Sequence, residues 1–406
     1  MLKVLLAHNH YGSATPSGEN SVFLLELDIL QRQGCEIRTY TRHSDDIRQQ
    51  GALGALKGAL STPWNPWSAA AIRRQVQAWQ PDVVHVHNTF PLLSPAIFPA
   101  VGPRAAKVLT LHNYRLFCSA AIPMRAGQVC TLCMDRQTVW PALQHGCYRG
   151  SRIATTPLAL SVALHRTLGT WQQHVDAFIA LTEFQRERMM AAGLPADKVH
   201  VKPNFYPGNP QPVLWQKRGA YAVFAGRLTE EKGLISLLQA WTYGAKNGLG
   251  LPPLRIVGDG PLRGQLQAMA KDLPIEFLGQ LPANQSQEEI AHSQLLLLPS
   301  ECFEGFPMVV REAFAFGTPV AVSNLGPLPT IVAKGENGLL FEPANPRSLA
   351  TIVAKAWNNP GLLQRLGEGA YSTFQQNYTE ETNYQQLMQI YQAAIENNQR
   401  SRARKP

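Results

Sequence analysis

The sequence predicts an α/β protein of two doubly wound, Rossmann-like domains facing each other across a cleft. Three observations carry that expectation. At 406 residues the chain exceeds what one hydrophobic core usually supports. Short apolar runs alternate with helical patterns from end to end, as parallel sheets with crossover helices require. The pattern then breaks and restarts around Asn204-Phe205-Tyr206-Pro207-Gly208-Asn209-Pro210-Gln211-Pro212. Three prolines so close together can continue neither a helix nor a central strand. The domains are therefore expected at 1–205 and 213–375, with a terminal helix in 376–406 free to pack back on the first.

In the first half, strands are expected over Lys3–Ala7, Glu36–Thr41, Asp82–His87, Lys107–His112, Ala177–Leu181 and His200–Pro203. Between the first two, Val22, Leu25, Leu27, Ile29 and Leu30 mark a helix closed by Gly34. The second half restarts with strands at Ala220–Ala225, Leu254–Val257, Ile275–Leu278, Leu295–Leu298 and Val320–Ser323. The last helix is expected over Asn383–Asn397, with Leu387, Ile390, Tyr391 and Ala394 at helical spacing.

Composition excludes several classes. Apolar content of 45% and charged content of 16% describe a folded chain rather than a disordered one. No run reaches the ~18–20 apolar residues of a membrane helix. The N-terminal Leu2-Lys3-Val4-Leu5-Leu6-Ala7 breaks at His8-Asn9-His10, too early for a signal peptide, so a cytoplasmic protein is expected. Of the net charge of +9, Arg400, Arg402, Arg404 and Lys405 supply four on a short tail. That tail either touches acidic lipid at the inner membrane surface or frays in solvent.

The chemistry-bearing residues fall at strand exits. After Ala220–Ala225 come Gly226-Arg227-Leu228, and Thr229-Glu230-Glu231-Lys232-Gly233 opens the next helix. Gly226 allows close backbone approach, while Arg227 and Lys232 beside a helix N-terminus form an anion site fit for a diphosphate. The next strands end in Gly258-Asp259-Gly260-Pro261 and Gly279-Gln280-Leu281. Glycine-rich exits of one sheet are where a base and ribose can press against backbone.

The run Leu295-Leu296-Leu297-Leu298 then leads through Pro299-Ser300-Glu301-Cys302-Phe303-Glu304-Gly305-Phe306-Pro307 into a helix from Met308. The amides of Gly305 and Phe306 can donate to ligand oxygens, and Pro307 suits a first helical position. Val309, Val310, Ala313 and Phe314 form the expected buried face. Glu312 lies off it with Met308 and Ala315, where its carboxylate can accept from both hydroxyls of a ribose diol. Glu304, in the loop, would stand nearer a transferred sugar. The plain alternative is a capping acid and a solvated one.

In order, Gly226-Arg227-Leu228…Glu231-Lys232-Gly233, Gly258-Asp259-Gly260, and Glu304 with Glu312 resemble the retaining, nucleotide-sugar-dependent glycosyltransferases of family 4, of GT-B architecture. The resemblance covers nearly the whole chain and is strongest over 221–342. It implies that the C-terminal domain holds a UDP-, GDP- or ADP-sugar and the N-terminal domain a glycan or lipid-linked acceptor of cell-surface polysaccharide synthesis. Arg227 and Lys232 would neutralise the leaving diphosphate in place of a catalytic metal. Glu312 would hold the ribose, Glu304 the sugar hydroxyls, and His112 would stand near the transferred sugar and acceptor. Retention is drawn in this family as a same-face displacement with no protein nucleophile. The chain departs from pattern at Pro16-Ser17-Gly18-Glu19-Asn20, where two adjacent glycines are common, leaving Gly18 and the Ser17 amide for phosphate or sugar. It departs again at Pro307, where a glycine is common.

Cys118, Cys130, Cys133 and Cys147 crowd one short window, with Cys130 and Cys133 as a CxxC pair. They read as a closed, structural zinc site, as reduced buried thiols, or as a redox pair. Two other functions compete. A GT-B sugar-nucleotide epimerase would need an acid/base set and no acceptor. A zinc-containing nucleic-acid module would interleave cations and aromatics around the cysteines. That window holds Arg125, Arg136 and Arg149 but also Asp135 and no basic run, so an enzyme without nucleic acid is expected.

Overall fold

The computed structural model describes residues 1–12 and 17–403. Pro16 of the first loop and Arg404 and Lys405 of the basic tail lie outside the described residues. The chain divides into two units. Unit 1 comprises Met1–Pro123, Cys130–Pro203 and Asn383–Pro406, and unit 2 comprises Met124–Val129 and Asn204–Thr382.

Unit 1 holds the strands β1 (Lys3–His10), β2 (Glu36–His43), β3 (Val83–Asn88) and β4 (Ala106–Leu111). Next in the chain comes a small hairpin, β5 (Met124–Arg125) with β6 (Gln128–Val129), which groups with unit 2, and unit 1 resumes with β7 (Ala177–Ala180) and β8 (Val199–Val201). The larger strands form a parallel sheet in the order β2-β1-β3-β4-β7-β8. The hairpin turn, Ala126-Gly127, has both φ angles positive, as a two-residue hairpin loop requires. Unit 2 holds β9 (Ala222–Ala225), β10 (Leu254–Val257), β11 (Ile275–Gly279), β12 (Leu295–Leu298), β13 (Val320–Ser323) and β14 (Gly338–Phe341). They form a second parallel sheet in the order β11-β10-β9-β12-β13-β14.

Helices cover both faces of such sheets, so their strands are apolar throughout rather than alternating. Leu295, Leu296, Leu297 and Leu298 are all buried, and the run Val4–Ala7 has no exposed surface. The terminal helix, Glu380–Ala403, sends Leu387, Ile390, Tyr391 and Ala394 into the unit 1 core beside Val4, Leu6, Phe23 and Val108. β14 and the β5–β6 hairpin are additions to the sequence reading. β14 has four residues and begins with a glycine, too short a run to register as apolar periodicity.

Each sheet reverses its winding direction once, and ligands of such folds bind outside the strand C-termini at that reversal. In unit 1 the reversal lies between β1 and β3, and in unit 2 between β9 and β12. Among the described residues no helix is long and apolar enough to cross a membrane.

Candidate active site

In unit 2 the exits of β9 and β12, on either side of the reversal, are held in contact by glycines. A Cβ on Gly233 (φ +68°) would stand 1.9 Å from the Pro299 carbonyl oxygen, so only a glycine lets the two loops lie this close. The Glu301 amide donates to the Glu231 carbonyl at 2.9 Å across the same junction. That closeness delivers Lys232 to Glu304: Nζ and Oε1 are 2.7 Å apart, and the Ser300 hydroxyl donates to the same oxygen at 2.5 Å. Burial alone would lower the Lys232 pKa, but the Glu304 charge outweighs it and holds the pKa above its ordinary value. Burial would likewise raise Glu304, and the Lys232 charge and hydrogen bond outweigh it, leaving the carboxyl below its usual range. Both groups therefore stay ionised. Arg227 is mostly exposed, 3.3 Å from Glu231, and its charge also favours ionised Glu304.

The sequence expectation of a helix opening at Thr229 is corrected. Glu230–Lys232 forms a single 3₁₀ turn, and the helix Leu234–Lys246 begins after Gly233. Lys232 thus directly precedes the helix's N-cap Gly233, with its side chain turned to the β12 loop. The glycines at the neighbouring exits also have a packing reason. A Cβ on Gly258 would stand 1.9 Å from the Gly226 carbonyl oxygen, and one on Gly260 2.5 Å from that of Leu228. Asp259 is tied into its own loop, accepting from the Gly260 amide at 2.7 Å and from Arg263 at 2.9 Å. Gly279 (φ +71°) accepts from the Gly258 amide at 2.8 Å.

The helix Met308–Ala315 starts where the sequence places it, with Pro307 as its N-cap instead of its first helical residue. The Phe306 ring is buried against Tyr378, while the amides of Gly305 and Phe306 donate no backbone hydrogen bond among the described residues. The expected helix face needs two changes. Val309 is half-buried, and Ala315, read as lying off the core, is fully buried. Arg311, which the sequence reading passed over, is buried, donates to the Phe205 carbonyl and lies 3.4 Å from Glu312. This helix packs between the helices Ala283–His292 and Pro360–Asn377, so more than one stripe is covered. Burial pushes the Glu312 pKa up, offset in part by Arg311 and by a hydrogen bond from Gln287.

Gly18 opens the helix Gly18–Arg32 of unit 1, whose N-cap Ser17 makes no side-chain capping bond. At the reversal of this unit the structure gathers imidazoles. His112 directly follows β4, and its Nε2 is 3.1 Å from His87 Nδ1. His87 Nε2 faces Glu26 Oε2 at 3.4 Å, and neither atom has another hydrogen-bond partner. Lys202 donates to the other Glu26 oxygen at 2.7 Å. A carboxylate only accepts, so the His87 proton belongs on Nε2. Nδ1 then accepts from His112 Nε2–H, and His112 Nδ1 is left as a bare acceptor. Burial lowers the His112 pKa to about 3, helped by Lys202, and drives His85 and His87 well below the ordinary value. These imidazoles are neutral at physiological pH.

Glu26, His85 and His87 are the one trio of ligand atoms within 4.8 Å of one another among the described residues. Lys202 already supplies their cation. Both His85 nitrogens are also used, by Tyr391 and Thr110, each at 2.8 Å, so the trio is a polar core. Beside His112, Asn113 donates to half-buried Glu19 at 2.7 Å, a pair that sequence reading missed.

The four clustered cysteines are free thiols, all in unit 1. Burial pushes Cys118 up to about 12 and also raises Cys133. Cys133 interacts electrostatically with Cys147 and Cys130, and Cys118 with Cys133 and Cys147.

Comparison with known proteins follows the same division. The model described as Glycosyltransferase Family 4 matches residues 22–207, and that described as Glycosyl transferases group 1 matches 208–373. An exopolysaccharide phosphotransferase of Streptomyces coelicolor is 32% identical over 203 residues, 48% of this chain but only 21% of that protein. A phosphatidyl-myo-inositol mannosyltransferase of Mycobacterium leprae is 25% identical over 401 residues, 94% of each chain. Among solved structures, Anabaena HepE in complex with UDP superposes with a TM-score of 0.64 at 17% identity, covering 97% of this chain and 100% of that one.

Proposed function

The chain belongs to the group 1 glycosyltransferases of family 4 and has their GT-B fold, and from this premise we propose that it transfers a sugar, with retention, from a nucleoside diphosphate sugar to a glycan or lipid-linked acceptor. The setting we propose is cell-surface polysaccharide synthesis, on the cytoplasmic side. The observation that carries this reading is the ionised Lys232–Glu304 pair at the reversal of the unit 2 sheet, 2.7 Å apart.

Lys232 and Arg227 are the cations for the diphosphate. As the bond from the sugar C1 to the phosphate oxygen breaks, charge builds on that oxygen, and fixed cations stabilise it without reorganising. They take the place of a divalent metal. The new bond forms between C1 and the acceptor oxygen on the same face, and the departing phosphate takes the acceptor's proton. When Lys232 turns to phosphate, the Glu304 carboxylate also accepts from a sugar hydroxyl. Glu312 accepts from the ribose diol, and the Gly305 and Phe306 amides donate to sugar or phosphate oxygens. His112, held by His87, offers its bare Nδ1 to a hydroxyl of the transferred sugar or acceptor. The test is a thermal-shift panel of UDP-, GDP- and ADP-sugars, followed by slow hydrolysis of the best and assignment of the anomer released. One of them stabilises the protein by several degrees and yields the retained anomer; no stabilisation by any of the three contradicts the donor reading.

We also propose that Cys118, Cys130, Cys133 and Cys147 hold a structural zinc. Burial disfavours the Cys118 and Cys133 thiolates in the absence of a cation, and a zinc ion would supply that charge and draw together sulfurs of which no three lie within 4.8 Å of one another among the described residues. Metal analysis of the purified protein is expected to give about one zinc per chain; a metal-free folded protein would refute the site.

A further inference from the structure

One helix of unit 1 is built inside out. Gly51–Ser61, of sequence GALGALKGALS, buries Gly54, Gly58 and Ser61 and leaves Leu53, Leu56 and Leu60 at 75%, 57% and 69% exposure. The leucines sit at i, i+3 and i+7 and share one face. The glycines are needed inside, since a Cβ on Gly54 would stand 1.7 Å from the Ile47 carbonyl oxygen. The large apolar side chains have therefore been given to solvent. Trp64 and Trp67 follow this helix and are exposed as well. The helix packs on Arg152–Thr167, which exposes Ile153 and Leu160, and that helix packs on Trp140–His145, which exposes Trp140. Single exposed leucines are ordinary, but a run of them across adjoining helices marks an interaction surface.

The charge around this surface selects its partner. From residue 47 to residue 175 the chain carries twelve Lys and Arg but only two acids, Asp82 and Asp135. The rest of the protein carries 25 cations and 26 acids. That stretch includes Lys107, buried against Asp176, and Arg125 of unit 2, and the helix Asp45–Arg48 that packs on Gly51–Ser61 adds Asp45 and Asp46, yet the excess of cations remains. Lys57, Arg73, Arg74, Arg149 and Arg152 are exposed on its helices and loops. An apolar, tryptophan-bearing face among more cations than acids matches the boundary of an anionic bilayer, where acyl chains lie beneath negative headgroups.

We propose that the helix Gly51–Ser61, with Trp67 and the exposed face of Arg152–Thr167, docks unit 1 on the surface of an anionic lipid bilayer. The docking places this unit where a lipid-linked acceptor resides, but it does not depend on the donor reading. It also moves the expected membrane contact away from the C-terminal tail, which shares none of these residues.

The test is co-sedimentation of the full chain with vesicles of phosphatidylcholine alone and of phosphatidylcholine with 30 mol% phosphatidylglycerol. The parent binds the anionic vesicles at least about tenfold more tightly than the neutral ones, and binding weakens as salt rises. The triple variant Leu53→Ser, Leu56→Ser, Leu60→Ser removes exposed side chains and should keep the parent's Tm while losing at least about tenfold in vesicle affinity. Arg73→Glu with Arg74→Glu lowers affinity for anionic vesicles only. Equal partition of parent and triple variant overturns the proposal. So does a parent that ignores both vesicle types and instead self-associates through these leucines, shown by a mass that falls to the monomer in the triple variant. Nucleotide-sugar stabilisation is measured in parallel: its loss in the parent sinks the donor reading without touching the docking result.

Discussion

The two parallel sheets reverse direction in the same way, and the side chains they place at the reversal are electrostatic opposites. In unit 2 a lysine and a glutamate face each other at 2.7 Å, and each keeps the other charged against the pull of burial. In unit 1 the same position in the fold is filled with imidazoles that burial keeps neutral, backed by Glu26 whose charge Lys202 balances. One architecture thus supports two kinds of recognition. Fixed charge suits a diphosphate, and a neutral, oriented acceptor suits hydroxyls. The fold supplies the crevices, and the side chains on the strand exits decide what each can hold.

The largest effect that would sharpen this contrast is removal of the unit 2 cation. Lys232→Met is expected to cut kcat by roughly 10²–10³, the scale on which preorganised charge at a leaving group is felt, while secondary structure by circular dichroism is unchanged. Turnover within a few-fold of the parent would break the contrast. Next comes Glu304→Gln, which leaves Lys232 buried with half its partner gone. It should destabilise the free protein by roughly 2–3 kcal/mol in urea titration, less than for a fully buried pair because both side chains retain some exposure. A saturating nucleoside diphosphate should recover part of that loss by supplying the missing negative charge. A variant as stable as the parent would show that the pair carries no strain in either direction.

In unit 1, His87→Leu removes the group that fixes the His112 tautomer and should lower kcat about tenfold with donor KM little changed. His87→Asn keeps an acceptor near the Nδ1 position and should recover most of that activity. Equal loss in both variants would mean that His87 only fills space. The smallest effect is on pH. Glu312 protonates above the ordinary glutamate range, so its carboxylate, the form that accepts two diol hydroxyls, is lost first as pH falls. Glu304, shifted the other way, remains ionised over that interval. Nucleoside affinity by calorimetry should therefore decline severalfold as pH falls towards the Glu312 pKa, and Glu312→Gln should flatten the profile.

The residues that unit 2 brings together could be placed because they lie in short segments attached to recognisable strands: Lys232 follows β9 by seven residues and Glu304 follows β12 by six. The tetraleucine of β12 and the proline-rich break at Asn204–Pro212 gave the sheet and the division between units. What could not be read was long-range. Glu26, His87, His112 and Lys202 come from four separate elements, and nothing local in His85-Val86-His87 announces a buried lysine more than a hundred residues away. Arg311 was missed because a cation inside an apolar helix ordinarily points to solvent, whereas here it satisfies the Phe205 carbonyl. Gly258 and Gly260 were read as making room for a ligand, and the structure gives them a second duty, letting neighbouring strand exits touch. The inverted helix Gly51–Ser61 was not assigned in the sequence reading, and its leucine spacing alone does not tell which face is buried.

The most direct test of the central claim is calorimetric titration of UDP, GDP and ADP into the protein in the presence of EDTA, repeated with Lys232→Met. The account predicts that one of the three binds without any divalent cation and that the variant loses at least about tenfold in affinity, since a charge-assisted contact to phosphate is removed. Binding that appears only when magnesium or manganese is added, or a variant that binds as tightly as the parent, would contradict it.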